Sequence, residues 1–214
     1  MSTEEVVNLK TTRYVDQSPT WPTDGRHVLA QYDEKSIVSY QAFRPSIGQF
    51  AVQHGHFGGD FSFNRMSWIK PNFLWMMYRS GWGTKPGQEV TLAVWLMRDF
   101  FNELLSQAVP STYDQSQFPS CEVWQEAVAT SSVRLQWDPD HDPSGAPLAR
   151  RAIQLGLRGE ALRKYAERGI VRIADISEFV ASQRSNLLSG NHADLVTPVE
   201  NVYPPPAWHQ THCQ

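Results

Sequence analysis

The sequence predicts an α+β fold, a single domain built around one curved mixed or antiparallel sheet with flanking helices. Three observations lead there. Apolar runs of strand length, such as HVLAQY at 27–32 and EVTLAVWLM at 89–97, are interspersed with helical patterns. They do not alternate in the regular strand–helix–strand order of a doubly wound sheet, and no glycine-rich strand-to-helix fingerprint occurs. The chain, at 214 residues with 41% hydrophobic and 19% charged, has the length and composition of one well-buried globular core.

Taken in order, residues 1–24 read as a poorly structured lead-in that ends in the turn-rich SPTWPTDG. Residues 27–32 have strand content, and 37–43 fit either a strand or a helix. Pro45 can open a helix over 47–53, because a residue in the first turn has no intrahelical use for its N–H. HGHFGGD is loop. Pro71 likewise suits the first turn of a helix reaching Arg79, with Gly81 as its stop. That segment, PNFLWMMYR, is apolar nearly all round and is expected to be buried.

Residues 82–88 form a turn, 89–97 a buried strand and 98–108 an amphipathic helix. A polar loop at 110–119 leads to a helix at 120–130 and a strand at 133–137, after which DPDHDPSGAP is a turn-rich excursion. Strands at 152–157 and 170–176 flank a helix at 160–168. Ser177 opens and caps a last helix. The tail from about residue 191 is expected to be peripheral, which leaves 25–190 as the domain proper.

The formal net charge is −3, so nothing in the overall charge draws the chain to nucleic acid or anionic lipid, and an anion site has to be local. Cys121 and Cys213 stand far apart and are expected to be reduced thiols in a cytoplasmic or nuclear setting. The N-terminus lacks a signal-peptide layout, the longest apolar run is too short to cross a bilayer, and no membrane role is expected.

Chemistry concentrates in FNRMSWIKPNFLWMMYRSGWGTKPGQEV. Arg65, Lys70, Arg79 and Lys85 stand there among aromatic residues that run from Phe61 to Trp82. Cations among aromatic faces suit a ligand with both phosphates and flat rings: a nucleotide, a dinucleotide or a single-stranded nucleic-acid end. The other reading of the same string is a tryptophan-rich core whose basic side chains reach out to solvent. Glycine-bearing turns such as SGWGTKPGQ are where backbone can approach a ligand. Glu89 follows this turn at the start of an apolar strand, where a carboxylate can orient a sugar hydroxyl or offset an oxocarbenium charge; Gln88 beside it could hold an acceptor. His54 and His56 lack a partner at metal-ligand spacing, so no metal is expected. Pro139 and Pro143 spoil the alternating Asp138, Asp140 and Asp142 as a calcium loop.

The strings AQYD, SYQAF, RMSWIKPNFLWMMYRSGWGTKPGQE, LQWDP and RAIQLGL, in this order from residue 27 to 176, resemble the family of domains of unknown function numbered 4291. That family often has an arginine where this chain has Leu29. A second resemblance concerns GQEVTLAV, which looks like the element in which ADP-ribosyltransferases present their catalytic glutamate. It implies an ADP-ribosyltransferase-like fold with NAD as substrate and Glu89 as the catalytic residue. Arg26, Tyr32, Arg65, Ser67 and Trp68 become candidates for the surrounding NAD-binding groups. Arg65, Lys70 and Arg79 would face the pyrophosphate, Tyr78 or Trp82 would stack on a ring, and Gln88 and Lys85 would meet the acceptor, a protein side chain or a nucleic acid. The alternative is a non-catalytic module that binds nucleotides or single-stranded nucleic acid through the same groups.

Overall fold

The computed structural model describes residues 9–204 and shows an α+β fold. Its strands are divided among four small sheets, so the expected single curved sheet is corrected to several. The three-stranded sheet has the order β3 (Ser36–Phe43), β5 (Val90–Met97), β9 (Ile170–Asp175), all antiparallel. β5 is its central strand, and its run, apolar but for Thr91, suits a strand covered on both faces. The four-stranded sheet has the order β4 (Ser67–Ile69), β8 (Pro147–Leu157), β7 (Val133–His141), β6 (Val109–Pro110). The two sheets adjoin at one backbone bridge, where the Tyr40 N–H donates to the Lys70 carbonyl at 2.7 Å.

Strand alternation sorts the core into two clusters. Ile37, Leu92, Val94 and Leu96 face a large core shared with Val133, Ile153, Leu155 and Leu157 of the four-stranded sheet. The helices α4 (Arg98–Gln107) and α6 (Gly159–Glu167) close it with Phe101, Leu104, Leu162 and Tyr165. Val38, Tyr40 and Ala93 point the other way, onto α3 (Phe73–Ser80) and α7 (Ser177–Leu188).

The helix α3 starts at Phe73, two residues later than Pro71 suggests, because the Asn72 side chain caps it by accepting the Trp75 N–H at 2.7 Å. Gly81 ends it in the left-handed conformation, as expected. Its inner residues are buried while Tyr78 and Arg79 are exposed, so it is not buried all round. Ser177 does not cap α7: its hydroxyl accepts the Thr91 N–H at 3.0 Å and donates to Asp175, tying the helix to β5.

Two terminal segments depart from expectation. From Leu9 onward the expected lead-in is ordered, with β1 (Thr11–Arg13), α1 (Tyr14–Gln17) and a buried Trp21. The expected peripheral tail supplies β10 (Val196–Pro198), paired with β1, and β11 (Asn201–Val202), paired with β2 (Leu29–Ala30). Leu195, Glu200 and Tyr203 are buried, and the Gln17 side chain donates to both Thr197 and the Pro198 carbonyl. Partners this far apart in the chain leave no local pattern to read. His209, His212 and Cys213 lie outside the described residues. The remaining helices, α2 (Pro45–His54) and α5 (Cys121–Thr130), lie where the sequence places them, and the Ser120 side chain accepts the Val123 N–H at the start of α5.

Candidate functional site

A cleft of about 630 Å³ opens beside the junction of the two main sheets. The end of β3, the segment 65–70, α3 and the turn before β5 wall it. Of the residues singled out in the sequence, Arg65, Ser67, Trp68, Lys70, Arg79 and Gln88 line it together. Phe43, Phe61 and Met76 add an apolar wall. A volume of this order suits a small organic ligand or cofactor.

Lys70 is the most constrained cation. It follows β4 directly, is only 5% exposed and bridges to β3 through its own backbone. Burial, with the Arg79 charge nearby, pushes its ammonium from the ordinary 10.5 down to about 8, and Asp138 opposes the shift. Asp138 is itself clamped: its carboxylate accepts the Gln136 amide at 2.8 Å and the Gln154 amide at 2.6 Å. Gln41 fixes the opposite side by donating to the Ser67 hydroxyl and the Trp68 carbonyl, both at 3.0 Å, and by accepting the Tyr165 hydroxyl at 2.5 Å. Gly156, paired with Trp68, carries no side chain for a physical reason: a Cβ there would lie 2.5 Å from Met66 Sδ and 3.0 Å from the Trp68 ring. The cleft wall occupies that space.

Arg65 and Arg79 are exposed at the cleft, and neither has an ion pair among the described residues. Arg44, which also lines it, is paired with Asp60 at 3.1 Å.

Other sequence candidates stand elsewhere. Glu89 is exposed and accepts the Gly87 N–H at 2.8 Å; Gly87 and Gln88 line the cleft, so Glu89 stands at its rim. Lys85 donates to the Arg79 carbonyl at 2.7 Å, which satisfies the end of α3. Trp82 packs edge-on against Phe73 inside the second core, its backbone held in the left-handed region at φ 56°. Tyr78 stacks on His141 with ring centroids 3.6 Å apart. Tyr32 meets Tyr203 and donates to the Val202 carbonyl. Arg26 lines a different cavity. Leu29 is buried in the second core.

Gln41, Gln136 and Gln154 escaped sequence reasoning, and Asp138 entered it only as part of a spoiled calcium loop in a turn. The glutamines are ordinary polar residues within strand patterns, and only the pairing of distant strands gathers them with Asp138. His54 and His56 pack around Phe50, and among the described residues no group of three or more His, Cys, Asp or Glu is placed to hold a metal. Cys121 has a free thiol. Among the described residues no helix is long and apolar enough to cross a membrane.

The fold and the cleft together define an α+β protein with a local basic and aromatic cleft on a weakly acidic chain. The family model described as Domain of unknown function (DUF4291) matches residues 27–203, and the chain belongs to that family. No curated protein gives a significant match.

Proposed function

We propose that the junction cleft binds a phosphorylated nucleotide, and that NAD, as a donor of ADP-ribose, is its ligand. The observation that carries the nucleotide reading is the convergence of Arg65, Lys70 and Arg79 with Trp68 in one cavity. A pyrophosphate offers several acceptor oxygens to such cations, and a base or nicotinamide offers a face to the indole. NAD follows from the resemblance of GQEVTLAV to the glutamate-bearing element of ADP-ribosyltransferases.

In this reading the bond between ribose C1′ and nicotinamide breaks and nicotinamide leaves as a neutral ring. The acceptor nucleophile bonds to C1′ and gives up its proton. Glu89 would exchange its Gly87 N–H for a ribose hydroxyl and offset the positive charge that develops on the sugar. Gln88, on the cleft wall, would meet the incoming acceptor.

One observation favours a second reading, a non-catalytic nucleotide or single-stranded nucleic-acid module: the Glu89 carboxylate is held in its own turn and not in the cavity. Release of nicotinamide from NAD, with and without protein or RNA acceptors, separates the two. Release that Glu89→Gln abolishes supports the transferase. Tight binding of nucleotides or RNA without release supports the module, and neither binding nor release contradicts both.

A further inference from the structure

We infer that the protein has a second ligand site, for a small hydrophobic carboxylate, on the opposite face of the four-stranded sheet from Asp138. Leu135, Trp137, Arg151 and Ile153 alternate along β7 and β8 with Gln136, Asp138, Ala152 and Gln154. The first set lines a cavity of about 620 Å³ that shares no lining residue with the junction cleft. The inference is independent of the nucleotide reading.

The floor of this cavity is apolar, made by Val28, Leu105, Leu135 and Ile153, and aromatic side chains, Tyr113 and Trp137, add to its wall. Two guanidiniums join it, beside the polar loop residues Ser111, Thr112, Gln115 and Gln117. Arg26 and Arg151 are bridged through their backbones, which sets the two side chains at adjoining positions. Backbone bonds from Arg151 N–H to the Gly25 carbonyl at 2.7 Å and from His27 N–H to the Arg151 carbonyl at 3.3 Å fix that placement.

Neither guanidinium has a hydrogen bond or ion pair to a side chain among the described residues. Asp114 also lines the cavity and its charge interacts with that of Arg26, but the hydrogen bonds it makes lie within its own loop. It accepts the Ser116 N–H at 2.9 Å, the Ser116 hydroxyl at 2.6 Å and the Gln117 amide at 3.1 Å. Two cations with spare donors over an apolar, aromatic-walled floor match a ligand with one anionic head and a ring or short chain. A carboxylate takes a guanidinium in paired hydrogen bonds, and the floor removes the apolar body from water. A polyphosphate would use the two cations but leave the apolar floor of Val28, Leu105, Leu135 and Ile153 without a partner.

The test uses phenylbutyrate and its neutral amide, titrated calorimetrically into the full chain. The acid should bind at least about tenfold more tightly than the amide, the difference that a charge-assisted hydrogen bond supplies. Arg26→Gln with Arg151→Gln should erase that preference, and Ala108→Phe, which fills the cavity, should weaken both probes. NAD should not compete. Equal binding of acid and amide to the wild type, or no measurable binding of either, overturns the proposal even where the variants fail to fold. Competition by NAD overturns it as a separate site.

Discussion

The Tyr40 N–H donates to the Lys70 carbonyl at 2.7 Å, and this contact sets Lys70 where the three-stranded and four-stranded sheets meet. One backbone bond thus places a buried ammonium at the bottom of the cleft. The side chain inherits two neighbours from two other elements, Arg79 from α3 and Asp138 from β7.

The buried ammonium should make stability respond to pH. Its folded pKa, about 8, lies below the ordinary 10.5, so the unfolded chain holds the proton more tightly and wild-type stability gains as pH rises from about 8 to 10.5. Below that window Lys70→Met should be the more stable protein, by on the order of 3 kcal/mol at most. Urea titrations of both proteins at pH 7 and pH 9.5 check this; the gap should shrink at the higher pH.

Glu200 predicts the opposite slope. It is buried beneath the start of α3 and accepts the Phe73 N–H at 2.7 Å. Burial raises its carboxyl well above the ordinary 4.5, and the Phe73 N–H opposes that shift only in part. A raised folded pKa means that the stabilising contribution is complete below pH 4.5 and is lost as pH rises. Glu200→Gln keeps the acceptor for Phe73 without the charge. Its melting temperature should match wild type near pH 4 and exceed it increasingly toward pH 8.

Gly156→Ala should disturb the cleft more than the core. The added methyl would meet Met66 Sδ and the Trp68 ring, both on the cleft wall. Overpacking costs about 1–3 kcal/mol, but Met66 can yield, so the chain should fold with a displaced Trp68. Nucleotide affinity should fall several-fold while the melting temperature drops only modestly. An unchanged affinity would place Trp68 outside the ligand's contacts.

Glu89→Gln addresses the chemistry. Removing the charge should lower nicotinamide release by about a hundredfold or more. NAD affinity should stay nearly constant, because ground-state NAD has not developed the sugar charge. Steady-state release together with a binding titration separates the two quantities.

What the sequence made legible follows from the range of its physical signals. The strand β5 is apolar but for Thr91 and α3 carries its own capping and stop residues, so both could be read locally. β7 was cut short at Trp137 because DPDH resembles a turn, yet it runs to His141 through an irregularity after Pro139. The pairing of β1 with β10 links opposite ends of the chain and has no local signature. The site divides in the same way. Arg65, Lys70 and Arg79 stood out because a core does not tolerate lone cations among aromatics. Lys85 stood out for the same reason and Trp82 as a ring to stack on, but they serve the end of α3 and the second core. The glutamines around Asp138 could be found only once β7 and β8 were paired.

The most direct test of the central claim is a calorimetric titration of NAD into wild type and into Lys70→Met, Arg79→Gln at pH 7. Saturable one-site binding to the wild type is expected, with a loss of at least about tenfold for each charge removed. Wild type that takes up no NAD and no other nucleotide, or a double variant that binds as tightly as wild type, would contradict it.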